Sequence, residues 1–304
     1  LENQGPEGEI YMNGSKAGDV NPYFACMAAL GLLAETKNCP MTETEQKAVG
    51  RYLDWHTGVL LETDGKMGIY RKESGKLIYK EKADSEDGYL GMYLFLMGKY
   101  LEKTESTDLP ESWKNGISLA LKKIQSLMQD GITQVSEENT TVYLMDNLEV
   151  WKGLYELELA GLEDTQAISE IRKKIQKQIE KIFWDDANQR WRIIGNSDRY
   201  HQTEFYPDGV AQIYPLIYEF PVKEKKKQKV LYDQFTERFQ WQKLNKKRTG
   251  FLWAMTGMAA AQMRDINNLV ELVGNYETEY CKKRKYPLYT GEAGWICMEC
   301  EKLY

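Results

Sequence analysis

Two kinds of helical segment alternate along this chain without a break, and that alternation limits the fold more than any other feature. Segments 21–34, 87–100, 143–161, 208–220, 250–263 and 291–300 are apolar nearly all round. Segments 42–61, 111–128, 164–183, 222–241 and 265–283 are one-sided: in 164–183, Ile168, Ile171, Ile175, Ile179 and Ile182 recur at helical spacing among Lys, Arg, Glu and Gln. A helix apolar on every side is buried on every side, whereas a one-sided helix covers a core and faces water. Small residues (Gly31, Gly91, Gly257, Ala259, Ala260, Ala261, Gly294) would let the buried helices approach closely.

Short polar connections join the segments, so sequential helices are expected as antiparallel neighbours. The simplest architecture is two concentric layers, six inner helices ringed by outer ones. Strict alternation then points every inner N-terminus to one face. An eight-stranded α/β barrel also alternates two element types, but its strands should be Val/Ile-rich runs of about 4–8 residues. The buried segments here are longer and favour Ala, Leu, Met and Gly, so helices are preferred. The reading is an all-α (α/α)6 toroid of about eleven main helices, one domain over 1–304. Small β-hairpins are expected at 67–80 and 184–194, on the face of the inner N-termini. The eleventh segment has no amphipathic partner after it, so either the chain is truncated or the ring closes by other means.

Composition narrows the function classes. With 40 Lys+Arg against 46 Asp+Glu the net charge is −6, a poor match for nucleic acid or an anionic membrane. The longest uncharged stretches, 20–34 and 249–263, fall short of the ~18–20 residues that span a bilayer. No basic, then apolar, leader opens the chain, and an extracellular or cell-surface location is expected with a cytoplasmic one left open. The five Cys are an odd number, and Cys297 and Cys300 are expected to be buried in the core. Two His far apart, His56 and His201, give no metal site, and no phosphate loop or dinucleotide fingerprint is present, so neither metal nor cofactor is expected. The run 223–229 (KEKKKQK) reads as a solvated helix face.

The inner N-termini carry the chemistry. They read Gly18-Asp19-Val20-Asn21-Pro22-Tyr23, Ala83-Asp84-Ser85-Glu86-Asp87-Gly88-Tyr89, Tyr143-Leu144-Met145-Asp146-Asn147-Leu148-Glu149, Glu204-Phe205-Tyr206-Pro207-Asp208-Gly209, Gly250-Phe251-Leu252-Trp253 and Tyr289-Thr290-Gly291-Glu292-Ala293-Gly294-Trp295. Five of the six hold a carboxylate and all six a Tyr or Trp. Acids at helix entries are commonly caps, and Asp87, Asp208 and Glu292, each near Gly, fit that role. Asp84 and Asp146 are less easily explained as caps. Brought to one mouth, these groups suit sugar chemistry. Aromatic faces stack on pyranose rings, and two acids divide glycosidic cleavage into protonation of the leaving oxygen and activation of water.

These acidic inner N-termini resemble the six-hairpin glycosidase superfamily. Residues 83–92 are similar to the second conserved element of glycoside hydrolase family eight, roughly A-[ST]-D-[AG]-D before an apolar helix. The resemblance implies a glycoside hydrolase, inverting in mechanism, with Asp84 as central catalytic carboxylate. It implies a proton donor at the preceding inner helix, where Asp19 stands in place of the family's Glu. Tyr23, Asp87, Tyr89, Tyr143, Asp146, Glu149, Tyr206, Asp208, Glu292 and Trp295 are the candidate substrate-binding residues of a monomer acting on carbohydrate. Two other readings keep the fold: a glycan-binding or surface-assembly protein without turnover, and a polysaccharide lyase using Arg199, Tyr200 and His201. An isoprenoid cyclase would need D-D-x-x-D, which 84–87 match poorly.

Overall fold

The computed structural model describes residues 1–13, 18–74, 76–106, 108–162, 165–197, 204–244, 252–282 and 289–303. Eleven α-helices occur among them. The inner ones are α1 (Pro22–Leu33), α3 (Glu86–Thr104), α5 (Leu144–Leu159), α7 (Val210–Ile217), α9 (Thr256–Met263) and α11 (Thr290–Leu303). The outer ones are α2 (Glu43–Glu62), α4 (Glu111–Leu127), α6 (Thr165–Phe183), α8 (Lys225–Phe239) and α10 (Ile266–Tyr276). Each inner helix touches the next, and α11 returns to α1, so the inner layer is a closed ring. The fold is the all-α (α/α)6-type toroid expected from the alternation.

Local chemistry explains where the helices start. Asn21 caps α1 by accepting the Tyr23 N–H, with Pro22 in the first turn where its missing N–H costs nothing. Thr42 and Glu45 form a reciprocal capping box on α2. Ser85 caps α3 through the Gly88 N–H. Outer helices then bury one stripe: on α6, Ile168, Ile171, Ile175 and Ile179 are buried, each contributing roughly 1.5–3 kcal/mol.

Among the described residues, glycine lets α11 close the ring against α1. A β-carbon on Gly294 would stand 2.7 Å from the Met27 carbonyl carbon, so α11 lies backbone to backbone against α1, and Gly31 faces Gly294 from the other side. The same device joins α3 to α5, where a β-carbon on Gly91 would lie 2.7 Å from the Val150 nitrogen. An N-terminal arm reinforces the seam, its Met12 carbonyl accepting the Thr290 N–H at 3.0 Å.

Three small antiparallel sheets decorate the ring. β1 (Asp19–Val20) pairs with β2 (Gly68–Glu73), which pairs with β3 (Lys76–Lys82). β4 (Met128–Gln129) pairs with β5 (Ile132–Thr133), and β6 (Trp184–Asp185) with β7 (Arg190–Trp191). The two expected hairpins are present, while β4–β5 has no counterpart in the sequence reading.

The cysteine expectation is corrected: Cys297 is exposed on α11 and Cys300 half-buried, because both lie off the face that α11 packs against its neighbours. His56 is fully buried, its Nδ1 3.1 Å from the Tyr52 hydroxyl. The basic run at the start of α8 is mostly exposed. No described helix is long and apolar enough to cross a membrane.

Candidate active site

One cavity of about 480 Å³ draws on the entries of all six inner helices. Asn21, Tyr23 and Phe24 come from α1, and Asp84, Ser85 and Tyr89 from the entry of α3. Met145, Asp146 and Glu149 come from α5, Tyr206 and Tyr214 from the entry and body of α7. Trp253 and Met255 precede α9, and Glu292 and Trp295 open α11. The volume lies within the ~300–1,000 Å³ of small-molecule sites. No Lys, Arg or His is among these described lining residues.

Glu149 is the most elaborately held acid. Its Oε1 accepts hydrogen bonds from the hydroxyls of Tyr23, of Tyr214 at 2.7 Å and of Tyr218 at 3.3 Å. Tyr214 and Tyr218 lie one turn apart, at the end of α7, and Tyr23 reaches in from α1. Burial pushes the Glu149 carboxyl up to about 7, although the tyrosine hydroxyls pull the other way. Asp146, one turn before it and half-buried, is raised well above the usual carboxylate range. Burial is the main cause, the charges of Asp87 and Glu149 add to it, and the Ser85 hydroxyl opposes it. Asp84, by contrast, is exposed at the cavity wall.

Two carboxylates shape the walls. Glu292 accepts the N–H groups of Trp253 at 3.3 Å and Ala254 at 2.7 Å, and burial raises it to about 7. Asp87 is fully buried and outside the lining. It accepts from Thr133 at 2.7 Å, Ser85 at 2.8 Å and the Gly88 N–H at 3.0 Å. It therefore braces the turn that presents Asp84 and Ser85. Burial raises it to about 6 against those hydrogen bonds.

The residues singled out from sequence separate into two groups. Tyr23, Asp84, Tyr89, Asp146, Glu149, Tyr206, Glu292 and Trp295 meet in the cavity. Asp19, Asp87, Tyr143 and Asp208 are not in its lining. Asp19 is engaged by Arg71 at 2.7 Å and Lys80 at 2.8 Å, two residues of the neighbouring hairpin. The Arg71 hydrogen bond is the largest cause holding its carboxyl below the usual range. Tyr143 precedes α5 and bridges to Ile194 through the backbone. Asp208 is buried in a π-turn (Phe205–Gly209), where it accepts the Glu204 N–H at 3.1 Å and borders a separate cavity near Arg190. Arg199, Tyr200, His201, Gly250 and Phe251 lie outside the described residues.

Sequence reasoning missed Tyr214 as a wall residue, and placed Trp253 among the aromatics of the mouth without naming it a substrate-binding residue. The available signal for Tyr214 was its four-residue spacing from Tyr218 in a segment otherwise taken as plain core. Among the described residues no group of three or more His, Cys, Asp or Glu is arranged to hold a metal ion.

The same fold occurs in solved carbohydrate-active proteins. A glycosidase variant aligns with a TM-score of 0.69 over 99% of this chain and 93% of that one, at 11% identity. An α-amylase from Clostridium perfringens aligns at 0.63, covering 100% and 95% of the two chains at 12% identity. A rhamnosidase from Klebsiella oxytoca with rhamnose bound aligns at 0.60, covering 96% and 59% at 11% identity. No protein-family model matches the chain, and no curated protein matches it. Fold and cavity together define a glycosidase-like toroid with an acidic, aromatic-lined mouth.

Proposed function

We propose that residues 1–304 act as one catalytic domain, a glycoside hydrolase that cleaves a polysaccharide or oligosaccharide in this cavity. The observation that carries the reading is the convergence of Asp84, Asp146, Glu149 and Glu292 with Tyr23, Tyr89, Tyr206, Trp253 and Trp295 around one space. The fold neighbours named as glycosidase, α-amylase and rhamnosidase support a carbohydrate substrate.

The acid and base are assigned by environment. Burial, with the charges of Asp87 and Glu149, pushes Asp146 toward its protonated form, which suits it to donate to the glycosidic oxygen as the C–O bond breaks. Asp84, open to solvent, takes a proton from the water that attacks the anomeric carbon. The water oxygen joins the new reducing end, and the two aspartates reset by exchange with solvent. An inverting course would set the two carboxyls roughly 6.5–9.5 Å apart, leaving room for that water. Burial does most to favour the Asp146 proton, and the charges of Asp87 and Glu149 add to it. From the resemblance to glycoside hydrolase family eight, this reading keeps Asp84 and moves the proton donor from Asp19 to Asp146.

The test is reducing-end release over a panel of β-linked glycans. Asp84→Asn and Asp146→Asn should each lose roughly 10²–10⁴-fold with unchanged circular dichroism. Full activity in both would remove the assignment, and an equal loss in Asp19→Asn would return that residue to the site. The engagement of Asp19 by Arg71 and Lys80 favours a second reading, a glycan-binding protein without turnover. Calorimetric binding with no product would support it. The lyase reading rests on Arg199, Tyr200 and His201, which lie outside the described residues, and an unsaturated product absorbing in the ultraviolet would decide for it.

A further inference from the structure

Trp253 enters the cavity wall with φ at +59°, a left-handed conformation that a bulky residue keeps only when its surroundings impose it. Glu292 supplies that hold from a different helix. Its Oε1 accepts the Trp253 N–H at 3.3 Å and its Oε2 the Ala254 N–H at 2.7 Å, so both oxygens are committed to backbone. Glu292 is itself only 7% exposed. The indole fixed in this way lies against the Tyr206 ring, centroids 4.6 Å apart and planes 32° apart. Phe205 meets the indole edge-on at 5.9 Å. Exposure grows outward along this stack, from 8% at Phe205 through half-buried Trp253 to 45% at Tyr206. The outermost ring therefore offers an aromatic face at the cavity mouth, backed by two more rings. Such a face is complementary to the C–H side of a pyranose.

We propose that Glu292 is a positioning residue: it fixes the 253–254 backbone so that Trp253 backs Tyr206 as a stacking platform for a sugar ring, and it does not touch the substrate. The proposal rests on the glycan reading above and gives the mouth of that site its architecture. Three inner-helix entries, those of α7, α9 and α11, must be in register for the platform to exist.

A double-mutant cycle on the full chain decides it. Glycan affinity would be measured by calorimetry for the parent, Glu292→Gln, Trp253→Ala and the double variant, with near-ultraviolet circular dichroism of each without glycan. Glu292→Gln places an amide N–H against a backbone N–H, so binding should weaken about 2–10-fold, as a lost ring contact would. The double variant should bind no more weakly than Trp253→Ala alone, because Glu292 acts through Trp253. The aromatic dichroism should change in Glu292→Gln even without glycan. Glu292→Asp, one methylene too short to reach both N–H groups, should shift binding and dichroism the same way and serves if the Gln variant does not fold. Additive losses, or a kcat that collapses while KM and dichroism hold, would overturn the proposal. If the parent binds no glycan, the functional reading fails, while the dichroism arm still reports whether Glu292 fixes Trp253.

Discussion

The Lys152 ammonium on α5 stands 2.6 Å from the Glu219 carboxylate just past the end of α7. It also meets Glu156, one turn along its own helix, at 2.7 Å. Glu219 in turn takes Gln262 of α9 at 2.6 Å and Lys302 of α11 at 2.9 Å, while Lys99 of α3 reaches Glu156 at 3.1 Å. Five of the six inner helices are thus tied together near their C-terminal ends, away from the cavity. Lys152 and Glu156 are almost fully buried. Removing the central cation leaves buried Glu156 with Lys99 alone and Glu219 with Gln262 and Lys302, so Lys152→Met should cost about 3 kcal/mol, the low end for breaking a buried pair. Urea unfolding checks this, and a loss below ~1 kcal/mol would mean the network does not brace the ring.

The same network sets an acid limit. Burial alone would raise Glu219, but Lys152 and Lys302 outweigh it and hold its carboxyl at about 2 against an ordinary 4.5. A carboxylate depressed in the folded state stabilises fully above its unfolded value, and that stability is lost as pH falls from about 4.5 toward 2. Glu219→Gln should be less stable than the parent at pH 7, with the gap narrowing across that window. Urea midpoints taken from pH 2 to 7 measure it, and a constant gap would contradict the prediction.

Glu149 behaves in the opposite sense. Its folded value of about 7 lies above the ordinary 4.5, so the native state binds the proton more tightly than the unfolded chain. Its contribution is present in full below about 4.5 and is lost as pH rises through about 7. Glu149→Gln, which keeps an acceptor for the three tyrosines, should gain stability relative to the parent across that rise. Thermal melts of the two proteins at matched pH give the difference directly. A flat difference between pH 4 and 8 would show that the tyrosine cradle holds an ordinary carboxylate.

The seam between α1 and α11 makes a steric prediction. A methyl group on Gly294 would overlap the Met27 backbone, and backbone cannot step aside as a side chain can. Gly294→Ala should therefore destabilise by about 1–3 kcal/mol or more, despite the better helix propensity of Ala. Gly274→Ala, with nothing within 4 Å of the added carbon, is the control and should be neutral or stabilising. Equal effects at the two positions would mean the seam is loose enough to repack.

Architecture was legible because burial leaves a periodic trace. The isoleucine stripe of α6 and the charge-free body of α3 each state which sides of a helix meet water. Asp84 and Asp146 were also legible, as acids at helix entries where capping did not account for them. Asp19 was not: its partners Arg71 and Lys80 sit on strands far along the chain, and pairing across a sheet leaves no local periodicity. The charges inside α5 were read past for a similar reason. Lys152 and Glu156 are neutralised by Glu219 and Lys99 from other helices, so an inner segment can carry ions and still be core. The β4–β5 hairpin, with two residues per strand, is too short for alternation to register.

The glycine seam also orders events during synthesis. Asp84 and Asp146 are made early, yet the wall they face needs Glu292, and the ring shuts only when Gly294 meets the α1 backbone. Until α11 leaves the ribosome, one flank of α1 and one flank of α9 stay bare, with apolar inner-helix surface on both. A nascent chain of this kind carries two sticky edges until α11 follows. Among the described helices, α11 is the one that joins them and completes the cavity.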